Sequence, residues 1–99
     1  MRIKVEWSEK ATSDLQVIFE NVKELTFSEK TAFNVVNDIY EAGFNINFVN
    51  QYQIDEFLGD PYRRMIIRDY KIIYIILSQK HIKILQIFNT FQSPSKLRK

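Results

Sequence analysis

The segment YKIIYIIL, residues 70–77, is apolar on both of the faces that a β-strand would present. A strand with isoleucine or tyrosine on both sides needs cover on both sides, so it is predicted to lie in the interior of a sheet. The segments YRRMIIR (62–68) and IKILQIF (82–88) are predicted as further strands. They are joined to the central strand by the tight reversal RDY and by the hairpin loop SQKH.

The first half of the chain shows a different pattern. IKVEW (3–7) alternates between apolar and charged residues, which predicts a half-buried strand. Ser8 follows as a helix N-cap, and apolar residues at helical spacing then predict a helix over 9–25. Ser28 opens a second amphipathic helix in the same way. Gly43 is predicted to end that helix as a C′ glycine.

Residues 44–61 are rich in Asn and Gln and contain Gly59 and Pro61, which predicts an irregular connection with room for one short strand. The predicted order is therefore β-α-α-β-β-β. This is an α+β domain with an N-terminal helical hairpin packed on one face of a mostly antiparallel sheet. The 99-residue length is that of one domain, which we expect over residues 1–92, followed by a flexible basic tail at 93–99.

The composition excludes several kinds of site. The chain has no cysteine, so disulfides, thiolate metal sites and cysteine nucleophiles are excluded. Its single histidine, His81, cannot hold a zinc ion alone. We therefore expect neither a metal nor a cofactor. The N-terminal residues lack the apolar core of a signal peptide, and the longest apolar runs are too short to cross a bilayer, so a soluble, intracellular protein is expected.

The net charge of +2 hides a strong asymmetry. Residues 1–61 carry five basic and eleven acidic side chains, a net charge of −6, whereas residues 62–99 carry nine basic and one acidic side chain, a net charge of +8. Such an asymmetry indicates a polyanionic partner or a partner chain that covers one face. The alternative is that the two halves neutralise each other across the fold.

The whole pattern resembles the RelE/ParE toxin family of type II toxin–antitoxin systems. The resemblance is carried by a strand ending in Trp7, the helical segments SEKATSDLQVIF and A..VV.DI, the hairpin DYKIIYIIL, and the closing IKILQIF with P.KL after it. It implies a bacterial cytoplasmic toxin neutralised by a cognate antitoxin. It also implies that operator DNA is contacted only through the toxin–antitoxin complex.

This family performs two different tasks with one fold. RelE-like members cleave mRNA on the ribosome, which requires cations at the phosphate and a proton donor for the leaving oxygen. Arg64, Arg68 and Lys71 would be the catalytic set, but residues 89–93, NTFQS, lack the basic residue and the Tyr or His that the family often carries there. A ParE-like toxin, which binds and poisons DNA gyrase, is therefore favoured. A RelE-like nuclease and a non-toxic antitoxin-binding relative remain as alternatives.

The candidate target- or antitoxin-binding residues are mostly cations of the middle strands, with two residues that follow the last strand. They are Arg63, Arg64, Arg68, Lys71, Phe91 and Gln92. Alternation predicts that Arg64 and Arg68 share one face and that Arg63 lies on the other. The alternative is a solvated strand face whose arginines pair with Glu20, Asp55 or Glu56. Tyr70 and Tyr74 are predicted to be core residues, and His81 a solvated turn residue.

Overall fold

A computed structural model describes residues 2–90 as two helices packed against a four-stranded sheet. The elements are β1 (Lys4–Trp7), α1 (Glu9–Thr26), α2 (Glu29–Phe44), β2 (Arg63–Ile67), β3 (Tyr70–Ser78) and β4 (His81–Asn89). The strand order is β1-β4-β3-β2, with β1 parallel to β4 and the other neighbours antiparallel. The predicted element order, the helical hairpin and the interior position of YKIIYIIL are confirmed. Within residues 2–90, no helix has the length and apolarity needed to span a membrane.

Both helices begin at the predicted serine caps. The Ser8 hydroxyl accepts a hydrogen bond from the Ala11 amide at 3.0 Å and donates one to the Leu85 carbonyl at 2.7 Å. The cap therefore also ties the start of α1 to β4. The Ser28 hydroxyl accepts from the Thr31 amide at 3.1 Å. Each serine thus satisfies one of the free amides in the first turn of its helix.

The core lies between the helices and one face of the sheet. Its largest fully buried apolar side chains come from α2 and from the three longer strands, and they include Ile39, Met65, Ile72, Tyr74, Ile82 and Ile84. Tyr74 belongs to the core as predicted, and its hydroxyl donates to the Val49 carbonyl at 2.8 Å. Burial raises the pKa of Tyr74, so the phenol remains a neutral donor at physiological pH.

Gly43 does not end α2, so its predicted role as a C′ glycine is wrong. The helix continues through Phe44, and Asn45 caps it. Gly43 is needed instead for close packing, because a Cβ atom at this position would lie 2.8 Å from Ile84 Cδ1 and 3.1 Å from Trp7 Cζ2. The glycine lets the end of α2 approach β1 and β4 more closely than any other residue would allow.

Gly43→Ala should lower the free energy of unfolding by up to about 2 kcal/mol, because an overpacking penalty of about 1–3 kcal/mol is offset by a helix-propensity gain of about 1 kcal/mol. In an Ile84→Val background the Cδ1 atom that meets the new methyl group is absent. The cost of Gly43→Ala should therefore be smaller there. Urea unfolding of the four proteins measures the difference, and an equal or larger cost in the Ile84→Val background would contradict this explanation.

The connection between α2 and β2 is irregular, as predicted. Its one bridge to the sheet joins Ile54 to Arg63, with the Arg64 amide donating to the Gln53 carbonyl at 3.0 Å. The peptide bond between Asp60 and Pro61 is cis. Because the connection runs along the outer edge of β2, it carries Asp55 to the neighbourhood of β3.

Candidate functional site

The sheet has two faces of different character. Met65 pairs with Ile72 on the face that the helices cover. One residue further along each strand, Arg64 pairs with Ile73 and Ile66 pairs with Lys71 on the opposite face. We call this opposite face the open face. Cations on this face, such as Arg64 and Lys71, do not point into the core between the sheet and the helices.

Arg63 and Arg64 lie on opposite faces, as predicted. The Arg63 guanidinium donates to the Tyr52 carbonyl at 2.6 Å, and the Arg64 guanidinium donates to the Ile54 carbonyl at 3.3 Å. Both arginines therefore bind the backbone of the irregular connection. Both side chains remain partly exposed, so their remaining donors are accessible to a partner.

Arg68 does not share a strand face with Arg64, so that prediction is wrong. β2 ends at Ile67, and Arg68 lies in the two-residue turn to β3 with a φ of 54°, in the left-handed region. Its Nε donates to the Asp38 carboxylate of α2 at 2.7 Å, and both side chains are 47% exposed. The turn conformation, which strand alternation cannot anticipate, sends the side chain toward the helices.

Lys71 is buried on the open face. Its ammonium group lies 2.8 Å from Asp55 Oδ2, and the two side chains are 8% and 1% exposed. The ammonium also lies 5.0 Å from the centre of the Phe57 ring, a cation–π distance. The turn that follows Asp55 thus covers the cation. Lys71 is not part of the exposed surface on which the sequence analysis expected a target or antitoxin to bind.

Asp55 is held in place by backbone groups as well as by Lys71. Its Oδ1 accepts hydrogen bonds from the amides of Phe57 at 3.0 Å and Leu58 at 2.8 Å. Burial opposes ionisation, but the hydrogen bond with Lys71 and these two amides outweigh it and hold the pKa of Asp55 below its ordinary value of 3.8. The carboxylate is therefore charged at neutral pH and neutralises the lysine.

The predicted ion pairs of the arginines are wrong. Asp55 binds Lys71, and Glu20 lies 3.3 Å from Lys23 within α1. The three proposed catalytic cations do not form one exposed set: Arg64 and Lys71 share the open face, but Lys71 is buried, and Arg68 binds α2 instead. Phe91 and Gln92 lie outside the described residues. Within residues 2–90, no cluster of His, Cys, Asp and Glu has the geometry of a metal site.

His81 is not the solvated turn residue that was predicted. It is the first residue of β4, and its Nε2 lies 3.1 Å from Glu6 Oε1. The other oxygen of the same carboxylate lies 3.6 Å from Lys83 Nζ. The parallel pairing of β1 with β4 brings these three side chains together. Because residues 6 and 81 are far apart in the chain, the sequence carries no local signal for this contact.

A groove that the sequence analysis missed lies between α1 and the end of β4. It has a volume of about 510 Å³, and its apolar lining includes Val17, Val22, Leu25, Tyr70, Ile87 and Phe88. β1 pairs with β4 only as far as Ile84, so the last five residues of β4 extend beyond it. There the Ile87 amide donates to Asp14 Oδ2 at 2.9 Å. A side chain of α1 therefore takes the position that the carbonyl of another strand would occupy.

Comparison with solved structures identifies the fold. A chain of the chromosomal ParDE TA system from P. aeruginosa superposes on this chain with a TM-score of 0.73. The two sequences are 22% identical, and the match covers 89% of this chain and 96% of the other. No family model and no curated protein sequence matches the chain. The resemblance seen in the sequence is thus confirmed at the level of architecture, and the chain has the RelE/ParE-like toxin fold.

Proposed function

We propose that this chain is the toxin of a type II toxin–antitoxin system and that it acts in the bacterial cytoplasm by binding DNA gyrase, as ParE-like toxins do. A cognate antitoxin neutralises it. The architecture shared with a ParDE system chain supports a toxin–antitoxin component. The choice of a binding mechanism over RNA cleavage rests on the site itself.

The observation that carries this choice is the burial of Lys71. An RNA-cleaving site needs cations aimed at the phosphate that gains charge in the transition state. Here the Lys71 ammonium is neutralised by Asp55 at 2.8 Å and covered by Phe57, so it is not available for a phosphate. A toxin that acts by binding needs no such group. The partly exposed Arg64 and Arg68 can serve it as contact residues.

The groove beside α1 supports the antitoxin part of the proposal. It combines apolar side chains with the part of β4, from Leu85 to Phe88, that extends past the end of its pairing with β1. An extended or helical antitoxin segment could bury Val17 and Leu25, which are 56% and 81% exposed. An extended segment could also replace Asp14 as the acceptor for the Ile87 amide. Binding there would leave the open face of the sheet for a second partner.

The deciding experiment compares the two activities of the fold with one preparation of purified protein. Gyrase supercoiling and cleavage-complex assays are run beside an in vitro translation reaction in which mRNA 5′ ends are mapped. We expect trapped double-strand breaks and intact mRNA. Codon-phased mRNA cuts with unaffected gyrase would contradict the proposal and support the RelE-like alternative. Inactivity in both assays, with retained antitoxin binding, would support the non-toxic relative.

A further inference from the structure

The outer side of α2 carries a stripe of aromatic side chains that stay largely exposed. Phe33, Asn37, Tyr40 and Phe44 follow the spacing i, i+4, i+7 and i+11, which places them on one side of the helix. The buried residues of α2, such as Val35 and Ile39, lie on a different side. Phe33, Tyr40 and Phe44 are 60%, 45% and 48% exposed. Apolar side chains that are exposed side by side, unlike singly scattered ones, are typical of an interaction surface.

The stripe is held in a fixed shape at one end. The Tyr40 ring stacks on Trp7 of β1 with a centroid distance of 5.5 Å, and it meets the Phe44 ring edge to face at 4.8 Å. Trp7 is itself packed against Gly43. The aromatic rings therefore have few alternative orientations to lose when a partner binds, which favours association.

We propose that this stripe is a two-fold interface between two copies of the chain, with the two α2 helices antiparallel. The polar residue within the stripe supports a second copy as the occupant. If the two-fold axis passes beside Asn37, each carboxamide faces the other, and each offers both a donor and an acceptor. An amide pair of this kind satisfies itself and sets the register of two helices.

The charges that flank the stripe favour the same arrangement. Lys30 and Glu41 lie on the same flank, near opposite ends of α2, and neither makes an ion pair within the part of the chain that the structure describes. With Asn37 opposite Asn37, Lys30 of one copy lies opposite Phe44 of the other. It is thus three residues, about 4.5 Å along the axis, from Glu41 of that copy. The two-fold axis creates this contact twice.

The predicted dimer is a weak one. The stripe offers three half-exposed aromatic residues on each copy, which is less apolar surface than a permanent interface buries. Sedimentation equilibrium of the full chain, from about 1 μM to about 500 μM protein, covers the range expected for such an interface. We expect a concentration-dependent monomer–dimer equilibrium. A monomer at every concentration would overturn the proposal and indicate that the stripe binds a different protein.

Charge reversal tests the geometry of the interface. Glu41→Lys should weaken the dimer by about tenfold, because it places like charges together twice. The double variant Lys30→Glu, Glu41→Lys should restore most of the affinity, since the two charges are exchanged. Circular dichroism verifies that each variant is folded. Failure of the double variant to recover affinity would overturn the antiparallel arrangement.

A matched pair of aromatic replacements distinguishes dimerisation through the stripe from non-specific hydrophobic association. Phe33→Asp should abolish dimerisation over the measured range. Phe27→Asp should leave it unchanged, although Phe27 is 94% exposed, because Phe27 lies in the turn between the helices and outside the stripe. Equal effects of the two replacements would contradict a specific interface. This inference is independent of the proposed gyrase binding, and either can fail without the other.

Discussion

Lys71→Met should lower the free energy of unfolding at pH 7 by about 3–5 kcal/mol, because it leaves the Asp55 carboxylate buried without its counter-ion. Asp55 is only 1% exposed, so the folded chain largely shields its carboxylate from water. Asp55→Asn should cost a similar amount, since it leaves a buried ammonium group uncompensated. The asparagine retains an oxygen that can accept from the amides of Phe57 and Leu58. The loss of stability in Asp55→Asn therefore comes mainly from removing the negative charge. Urea unfolding at pH 7 measures both losses.

Two controls test this explanation. The double variant Asp55→Asn, Lys71→Met has no buried charge at this position and should recover much of the stability that either single variant loses. Arg68→Ala breaks an ion pair that is about half exposed and should cost at most about 1 kcal/mol. If the Lys71 and Arg68 replacements cost the same, the pair on the open face would not be buried in solution.

The same pair should make stability depend on pH. The pKa of Asp55 is lowered on folding, so the unfolded chain binds a proton at this group more readily than the folded chain does. The stabilisation is therefore complete above the unfolded pKa, near the ordinary value of 3.8, and is lost as the pH falls through the lower, folded pKa. Thermal unfolding below about pH 4 should show a smaller decline for the double variant than for the wild type.

Under the proposed gyrase-binding function, replacing Arg64 and Arg68 together with alanine should raise the protein concentration needed for half-inhibition of gyrase by at least about tenfold. Both side chains are partly exposed, and each keeps guanidinium donors that are not used inside the chain. Arginine is among the residues that contribute most to protein interfaces. The measurement is a supercoiling titration with purified gyrase, supported by growth arrest on induction without antitoxin.

His81→Ala serves as the matched control. It also removes a basic side chain from the sheet and breaks its contact with Glu6, but it lies at the opposite end of β3 and β4 from Arg68. We expect its half-inhibition concentration to stay within about twofold of the wild type. Equal losses for the arginine double variant and for His81→Ala would contradict a target surface that includes Arg64 and Arg68. Normal unfolding curves for both proteins exclude a loss of fold as the cause.

The charge asymmetry between the halves of the chain indicated a polyanionic partner or a partner chain that covers one face, but in the structure the cations of the second half have different partners within the chain. Arg63 and Arg64 bind the irregular connection, Arg68 binds α2, and Lys71 is neutralised inside the protein. Part of the charge of the second half is therefore matched by the first half, which was the alternative considered from the sequence. The described cations of the second half that remain at least partly exposed are Arg63, Arg64, Arg68, Lys80 and Lys83.

The sequence alone determined the elements and their order, because the signals for them are local. Alternation in IKVEW, apolar spacing after Ser8 and Ser28, and the doubly apolar YKIIYIIL each depend on residues within one segment. The resemblance to the toxin fold followed from that order. The signals for the ends of β2 and α2 were less exact: RDY indicated the reversal but not the backbone conformation of Arg68, and Gly43 serves close packing instead of ending the helix.

Only the tertiary structure decided what each cation faces. The partner of Lys71 comes from Asp55, sixteen positions earlier in an irregular connection, and the partner of His81 comes from Glu6 on the far side of the helical hairpin. A periodic pattern shows which side of a strand a residue occupies, but not which loop or strand lies over that side. The pairing of charges therefore depended on how the connection and β1 pack against the sheet. The same packing decided that Lys71 is buried instead of being exposed to bind a phosphate.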